Sequence, residues 1–410
     1  MSKPGPGLTP VEEALARILA DAQPISGAEV LPLADCRHRI LATDVYSEIA
    51  VPPADNSSMD GYALRFEDYA AGQRRFPLSQ RVVAGAVGEP LQAGTAVRIF
   101  TGAELPPGAD TVVMQEDARA DEGTVEFGDG VRHADNVRPR GQDIASGSRV
   151  VEAGTRLSAA HLGLLASIGL PRVPVLPKLR VAILSTGNEL VEPGQPLASG
   201  QIYNSNRYML AGMLEDLGMA VVDIGIVPDD PAGTRRLLAQ AAEAADVVLS
   251  TGGVSVGEED HLKPAAEAEG RLENWQLAIK PGKPLAFGAI RRPDGSEALL
   301  VGLPGNPVSS FVTWLLAVHE VLAALQGLPG GLPAALPLVA GFDWPRPDKR
   351  REFLRVRVGA DGRLVLFPNQ GSGVLTSTVW ADGLVDVPPG QAIRAGDAVA
   401  YRPLAGWLKA

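Results

Sequence analysis

Between residues 178 and 328 the chain repeats one pattern, and that pattern limits the fold more than any other feature. Four apolar runs, RVAILS, AVVDIGIV, DVVLSTGG and ALLVGL, alternate with helix-like segments at 203–217, 232–245 and 307–325. Strands separated by helical crossovers predict a parallel sheet, here a central doubly wound α/β domain. Ligands on such sheets bind beyond the carboxyl ends of the strands, where loops lead into helices. The unusual sequences fall there: STGNEL after the first run, VPDD after the second, STGGVSVGEED at the end of the third and GLPGNPVSS after the last.

A chain of 410 residues is too long for one ordinary core, so further domains flank this one. A helix is expected near residues 9–21, with Thr9 as N-cap, Pro10 at the first helical position and Glu12 and Glu13 in the first turn. From 51 to 140 short apolar runs punctuated by glycine and proline predict a β-rich domain. RLSAAHLGLLASIGL then restores helical periodicity, and the prolines of PRVPVLPKLR mark a boundary. The reading is residues 1–50 with 141–177 as a linking and dimerisation domain of helical and extended segments, 51–140 as a β-rich domain, 178–328 as the α/β domain, and 329–410 as a small C-terminal β-barrel domain.

Charge and composition exclude several functions. A net charge of −11 without any concentrated basic run argues against nucleic acid, although a few cations in a cleft can still collect a small anion. The apolar stretches at 157–170 and 311–325 are interrupted by His161 or by His319 and Glu320, so no membrane span is expected. The opening residues lack a basic region followed by an apolar core, so a cytoplasmic protein is expected. Cys36 is the single cysteine, which leaves no intrachain disulfide and no cysteine-rich metal site, and the five histidines are scattered.

Each candidate motif has a structural reading beside the chemical one. GLPGNPVSS combines a strand end, glycines and a helix start at Pro307, with Ser309 and Ser310 as hydroxyl donors. That arrangement suits an oxyanion, but it is also an ordinary strand-to-helix turn capped by Asn306. KPGKP sets Lys280 and Lys283 around a turn, either as a pair for a doubly charged ligand or as solvated surface lysines. STGGVSVGEED offers backbone amides at Gly252, Gly253 and Val254, with Asp260 at a helix start. Glu189, Asp229 and Asp260 occupy three successive strand-end loops, a placement that suits magnesium bridged to phosphates and is equally open to solvated or capping acids. Neither the GxxxxGK[ST] nor the GxGxxG spacing occurs, so an ordinary ATPase or dehydrogenase loses support. By composition alone Asp60, Thr101 and Asp143 belong to polar turns.

Taken together, PPADNSSMDGYAL, RIFTGAELPPGADTVVMQED, ILSTGNEL, IYNSNRYML, DVVLSTGGVSVGEED, IKPGKP and GLPGNPVSS resemble, in order, the MoeA family of molybdopterin molybdenumtransferases, related to gephyrin and to plant Cnx-type E domains. The resemblance covers nearly the whole chain. It implies insertion of molybdate into adenylylated molybdopterin with release of AMP, using magnesium. It assigns Glu189, Asp229 and Asp260 to the nucleotide and metal side, with Asn204, Ser205, Gly252, Gly253, Val254, Ser255, Pro304 and Pro307 shaping the cofactor-binding walls. Lys280, Lys283, Ser309, Arg351 and Ser372 become the molybdate side. Asp60, Thr101 and Asp143 match positions contributed across a dimer cleft, so the resemblance implies a homodimer, with an adenylyltransferase and recipient molybdoenzymes as further partners.

One departure stands out: Gln276 lies where relatives carry a basic residue. Two rival functions are adenylyl transfer to molybdopterin, which uses a similar α/β domain, and a gephyrin-like peptide-binding scaffold. The extra domains disfavour the first. The retained acids and lysines disfavour the second.

Overall fold

The computed structural model describes residues 7–227, 230–253 and 261–408. Its central sheet has six strands in the order Ala220–Val227, Arg180–Thr186, Val247–Thr251, Glu297–Leu303, Pro284–Arg291 and Gly270–Gln276. The first four, which are the four apolar runs of the sequence, are parallel. The last two are antiparallel, so the expected parallel sheet is corrected to a mixed one. The connection between Arg291 and Glu297 is a tight turn closed by the Arg292 N–H to Ser296 O bond of 2.8 Å. Such a turn can join only antiparallel neighbours, because a parallel crossover needs a dozen or more residues.

Helices cover both faces of the sheet. Leu210 and Leu214 of Ser205–Asp216 and the apolar helix from Pro307 pack on one side; Leu238, Ala241 and Ala242 of Pro231–Ala244 and Ala265 and Ala266 of Leu262–Glu269 pack on the other. The Pro307–Leu325 helix is long and apolar enough to cross a membrane, but 89% of it is buried inside the protein. It serves as the core helix of the α/β domain.

The N-terminal helix spans Val11–Asp21, with Pro10 at the cap position. Thr9, expected to cap it, instead joins the sheet edge: its N–H donates to Gln276 O at 2.7 Å and its carbonyl accepts from Ala278 N–H at 2.7 Å. Val11, Ala14 and Ile18 recur at helical spacing and are buried in the α/β core, so this helix packs with residues far along the chain.

The linking region has its own core around Leu41, Leu157, Leu165 and Val175. There Glu29–Pro32 pairs antiparallel with Arg172–Val175, and Ser158 and His161 form a capping box at the start of the helix Ala159–Ser167. The β-rich region forms a sheet in the order Thr111–Met114, Gly61–Leu64, Ala96–Ile99, Arg75–Val82, Thr124–Phe127 and Ala118–Asp121. C-terminally, Ile279–Lys280 of the α/β domain begins a sheet that continues through Arg351–Val358, Gly383–Val387, Ala398–Pro403 and Leu336–Val339.

Arg156 staples the linking region to the α/β domain, donating to Leu217 O and Gln326 Oε1, each at 2.9 Å. Arg156→Met leaves both acceptors without this donor. We expect a loss of about 1–3 kcal/mol, the usual cost of stranding a partly buried polar group, seen as a lower urea midpoint of tryptophan fluorescence. An unchanged midpoint would show that the staple contributes nothing.

Candidate active site

Beyond the carboxyl ends of Arg180–Thr186, Val247–Thr251 and Glu297–Leu303 opens a cleft of about 920 Å³. The strand order turns back between the first two of these strands, the crevice where an open α/β sheet accepts ligands. Thr186 ends one strand and Glu189 follows it, Thr251 ends the next with Gly252 and Gly253 after it, Pro304, Pro307 and Ser309 follow the third, and all line the cleft. Asn204, Ser205 and Asn206 at the start of the Ser205–Asp216 helix complete this wall.

Local geometry explains several of these residues. Gly252 has φ of 81°, and a Cβ there would stand 2.7 Å from Thr186 O, so the strand end can pass this close only with glycine. Asn204 is buried; its Oδ1 accepts from Ser185 Oγ at 3.3 Å and from Arg207 N–H at 3.4 Å, so it caps the helix rather than facing a ligand freely. Asn206 Nδ2 donates to Gly305 O at 2.8 Å, tying that helix start to the GLPGNP loop. Asn306 holds the cap position of the next helix without a side-chain capping bond.

Another part of the lining is cationic. Lys280, Lys283 and Arg350 line it together with Ser372 and the flanking glycines 371 and 373. Lys283 is exposed, while Lys280 lies 3.0 Å from Glu352 Oε1 and 3.3 Å from Asp348 Oδ2. Gly282 between the lysines has φ of 103°, and a Cβ there would meet Thr313 Oγ1 at 2.4 Å, so the turn sits tightly on the Pro307–Thr313 helix. Arg350 clasps Asp348 through Nε at 3.1 Å and Nη2 at 3.0 Å. These hydrogen bonds from Arg350, with help from Lys280, hold the Asp348 carboxyl well below the usual carboxylate range. A depressed carboxylate contributes stability above its unfolded pKa and loses it as pH falls through the folded value, so this pairing persists through neutral and mildly acidic pH.

The Ser372 loop is fixed from behind. Arg355 is fully buried and donates to Ser377 Oγ at 3.2 Å, Phe353 O at 3.2 Å and Gly371 O at 3.3 Å. Burial lowers its pKa to about 10, which still leaves it charged at neutral pH. Ser372 O in turn accepts from Val308 N–H at 2.9 Å, joining the C-terminal loop to the first turn of the Pro307 helix.

Not every expected residue meets at this cleft. Arg351 points elsewhere: it pairs with Asp386 through Nε and Nη2, each at 2.6 Å, and with Glu12 at 2.5 Å. It lines a separate groove of about 840 Å³ between the N-terminal helix and the C-terminal sheet. Arg351, expected beside Lys280, is therefore corrected to the other groove, and its neighbour Arg350 lines the cleft instead. Neighbouring residues at a strand start project to opposite sides, so one step of sequence moves the charge from one groove to the other. Gln276 is exposed at the sheet edge and does not line the cleft.

Asp60, Thr101 and Asp143 lie outside the lining of this chain's cleft. Asp60 Oδ1 accepts from Thr101 N–H and from Thr101 Oγ1, each at 2.8 Å, and the backbone bond leads in lowering the Asp60 pKa. Asp143 is exposed, on a loop whose backbone N–H bonds Val51 O at 3.0 Å. Asp229, Val254, Ser255 and Asp260 fall outside the described residues. Among the described residues no group of three or more histidine, cysteine, aspartate or glutamate side chains converges as a metal site. Sequence reasoning missed Arg350, Asn206 and the two acids paired with Lys280, Asp348 and Glu352. The run KRREF held the signal for Arg350, but not its strand register.

Comparisons with known proteins place similarity along most of the chain. Residues 9–169 match the model of the MoeA N-terminal region, 182–324 that of a probable molybdopterin binding domain, and 337–404 that of the MoeA C-terminal region. A molybdopterin molybdenumtransferase of Haemophilus influenzae is 42% identical over 77% of this chain and 78% of its own length. One from Synechococcus elongatus is 35% identical over 95% of this chain and 98% of its own. The crystal structure of the molybdopterin biosynthesis MoeA protein from Pyrococcus horikoshii superposes with a TM-score of 0.82 at 29% identity, covering 97% of this chain and all of that one. With three family regions in order and relatives of this identity over most of its length, the chain belongs to the MoeA family.

Proposed function

We propose that this protein is an enzyme of molybdenum cofactor biosynthesis that inserts molybdate into adenylylated molybdopterin and releases AMP. The observation that carries this reading is one cleft whose strand-end wall bears Glu189 and the Gly252–Gly253 backbone while its far wall bears Lys280, Lys283 and Arg350. The lysines and the guanidinium attract a tetrahedral dianion, and Ser309 and Ser372 add hydroxyl donors beside it. The glycine strand end lets a bulky nucleotide approach the backbone. Catalysis is then mainly positioning and charge stabilisation, with the anion and the activated dithiolene held at one place.

Magnesium fits the chemistry of the strand-end wall, where Glu189 supplies an oxygen ligand and Asp229 and Asp260 are its partners by family position. When bound it neutralises the phosphoanhydride whose cleavage frees AMP. We also read the protein as a cytoplasmic homodimer in which Asp60, Thr101 and Asp143 face the cleft of a second copy. That none of the three lines the cleft of its own chain supports this. The C-terminal sheet is read as a small barrel, supported by the Gly341 N–H to Leu364 O bond of 2.8 Å, which ties the chain just after Leu336–Val339 to Leu364–Leu366, a strand paired with Arg351–Val358. An adenylyltransferase supplies the substrate, and molybdoenzymes receive the product.

Purified protein given adenylylated molybdopterin, magnesium and molybdate should release AMP in a molybdate-dependent manner. Lys280→Ala should raise the molybdate KM about 10–100-fold, the usual worth of one charge-assisted hydrogen bond. AMP release indifferent to molybdate, or formation of the adenylylated intermediate from ATP, would overturn the assignment. For the shared cleft, Asp60→Asn and Lys280→Ala should each be weak alone and regain activity when mixed and allowed to exchange subunits, because some mixed dimers carry one intact cleft. A mixture no better than its parts would show that each chain works alone.

A further inference from the structure

Resting on the oxyanion reading of the cleft, we infer that the carboxylates of buried Glu352 and half-buried Asp348 are positioning residues that lock Lys280 and Arg350 into one anion-binding unit across the boundary between the α/β and C-terminal domains. The strand register creates the unit: Ile279–Lys280 runs parallel to Arg351–Val358, and Lys280 is the direct partner of Glu352. Lys280 therefore comes from one domain, and both acids that pair with its ammonium come from the other.

Glu352 is 1% exposed and does not line the cleft, so it cannot touch a ligand there. Its Oε2 accepts from Trp344 Nε1 at 2.9 Å and from Asp348 N–H at 3.0 Å, which fixes the carboxylate plane and leaves Oε1 facing Lys280 Nζ at 3.0 Å. Asp348 reaches the same ammonium at 3.3 Å and grips Arg350 twice. Two of the three cations that line the cleft thus hang from two acids that share a hydrogen bond behind them. Lysine and arginine are long and flexible, and holding them before the ligand arrives removes the entropy that binding would otherwise consume.

The sign of a charge-removing substitution separates this role from a simple offset of charge. If the carboxylates only cancelled positive charge, replacing one by an amide would raise the local charge and tighten an anion. If they position the cations, the same change loosens it. In Glu352→Gln and Asp348→Asn, molybdate binding measured by calorimetry should weaken about tenfold or more, with the molybdate KM of AMP release rising in step. The kcat at saturating molybdate should stay within about threefold, and the KM for adenylylated molybdopterin should not move. Asp348 is partly exposed, so its variant decides the matter if Glu352→Gln fails to fold, as judged by its thermal transition.

Tighter or unchanged molybdate binding by a folded variant would overturn the inference, as would a loss confined to kcat. Failure of the unsubstituted protein to bind molybdate would instead remove the functional reading on which the inference rests.

Discussion

Two residues of parallel strand pairing, Ile279 beside Arg351 and Lys280 beside Glu352, join the C-terminal sheet to the α/β domain and build the cationic half of the cleft. Backbone pairing fixes which side chains stand opposite each other, so a short stretch of it determines register as firmly as a long one when both flanks are buried. Ile279 and Phe353 lie in the same core as the α/β strands, which anchors the pairing from below. Without it the strand-end wall would remain, but the wall facing it would not.

The strand-end wall follows from a different constraint. Parallel strands must all begin at one edge of a sheet and end at the other, and their connections return as helices. Glu189, Gly252 and Pro304, widely spaced in the chain, are therefore brought to one rim. Glycine at 252 and 282 permits close backbone approach on each side, and helix starts at Ser205 and Pro307 add their positive ends. The cleft therefore gathers charge of both signs within a protein whose net charge is −11, because the local arrangement outweighs the total.

The contrast between Arg350 and Arg351 shows how far residue order can be trusted. Both lie in KRREF, and their types and flanks are nearly identical. One is held by Asp348 at the cleft wall, and the other by Asp386 and Glu12 over a different groove. The partners lie next to Arg350 in one case and 35 residues away or at the opposite end of the chain in the other. Nothing in the residue types of the run could reveal which guanidinium faces the cleft. Gln276 teaches the same lesson, since a charge counted as missing from the site belongs to an exposed edge-strand position.

The sequence by itself determined the four parallel strands, the helices between them, the strand-end loops that carry the cleft residues and, through its ordered motifs, the family. Those features follow from periodicity and from residue types at short spacing, which the chain encodes locally. Only the tertiary structure decided that the N-terminal helix joins the α/β core, that the sheet ends in two antiparallel strands, and that Glu352 and Asp348 stand behind Lys280 and Arg350. Those outcomes depend on the energy of burying one segment against another distant in the chain, and on a register in which a shift of one residue exchanges the two faces of a strand.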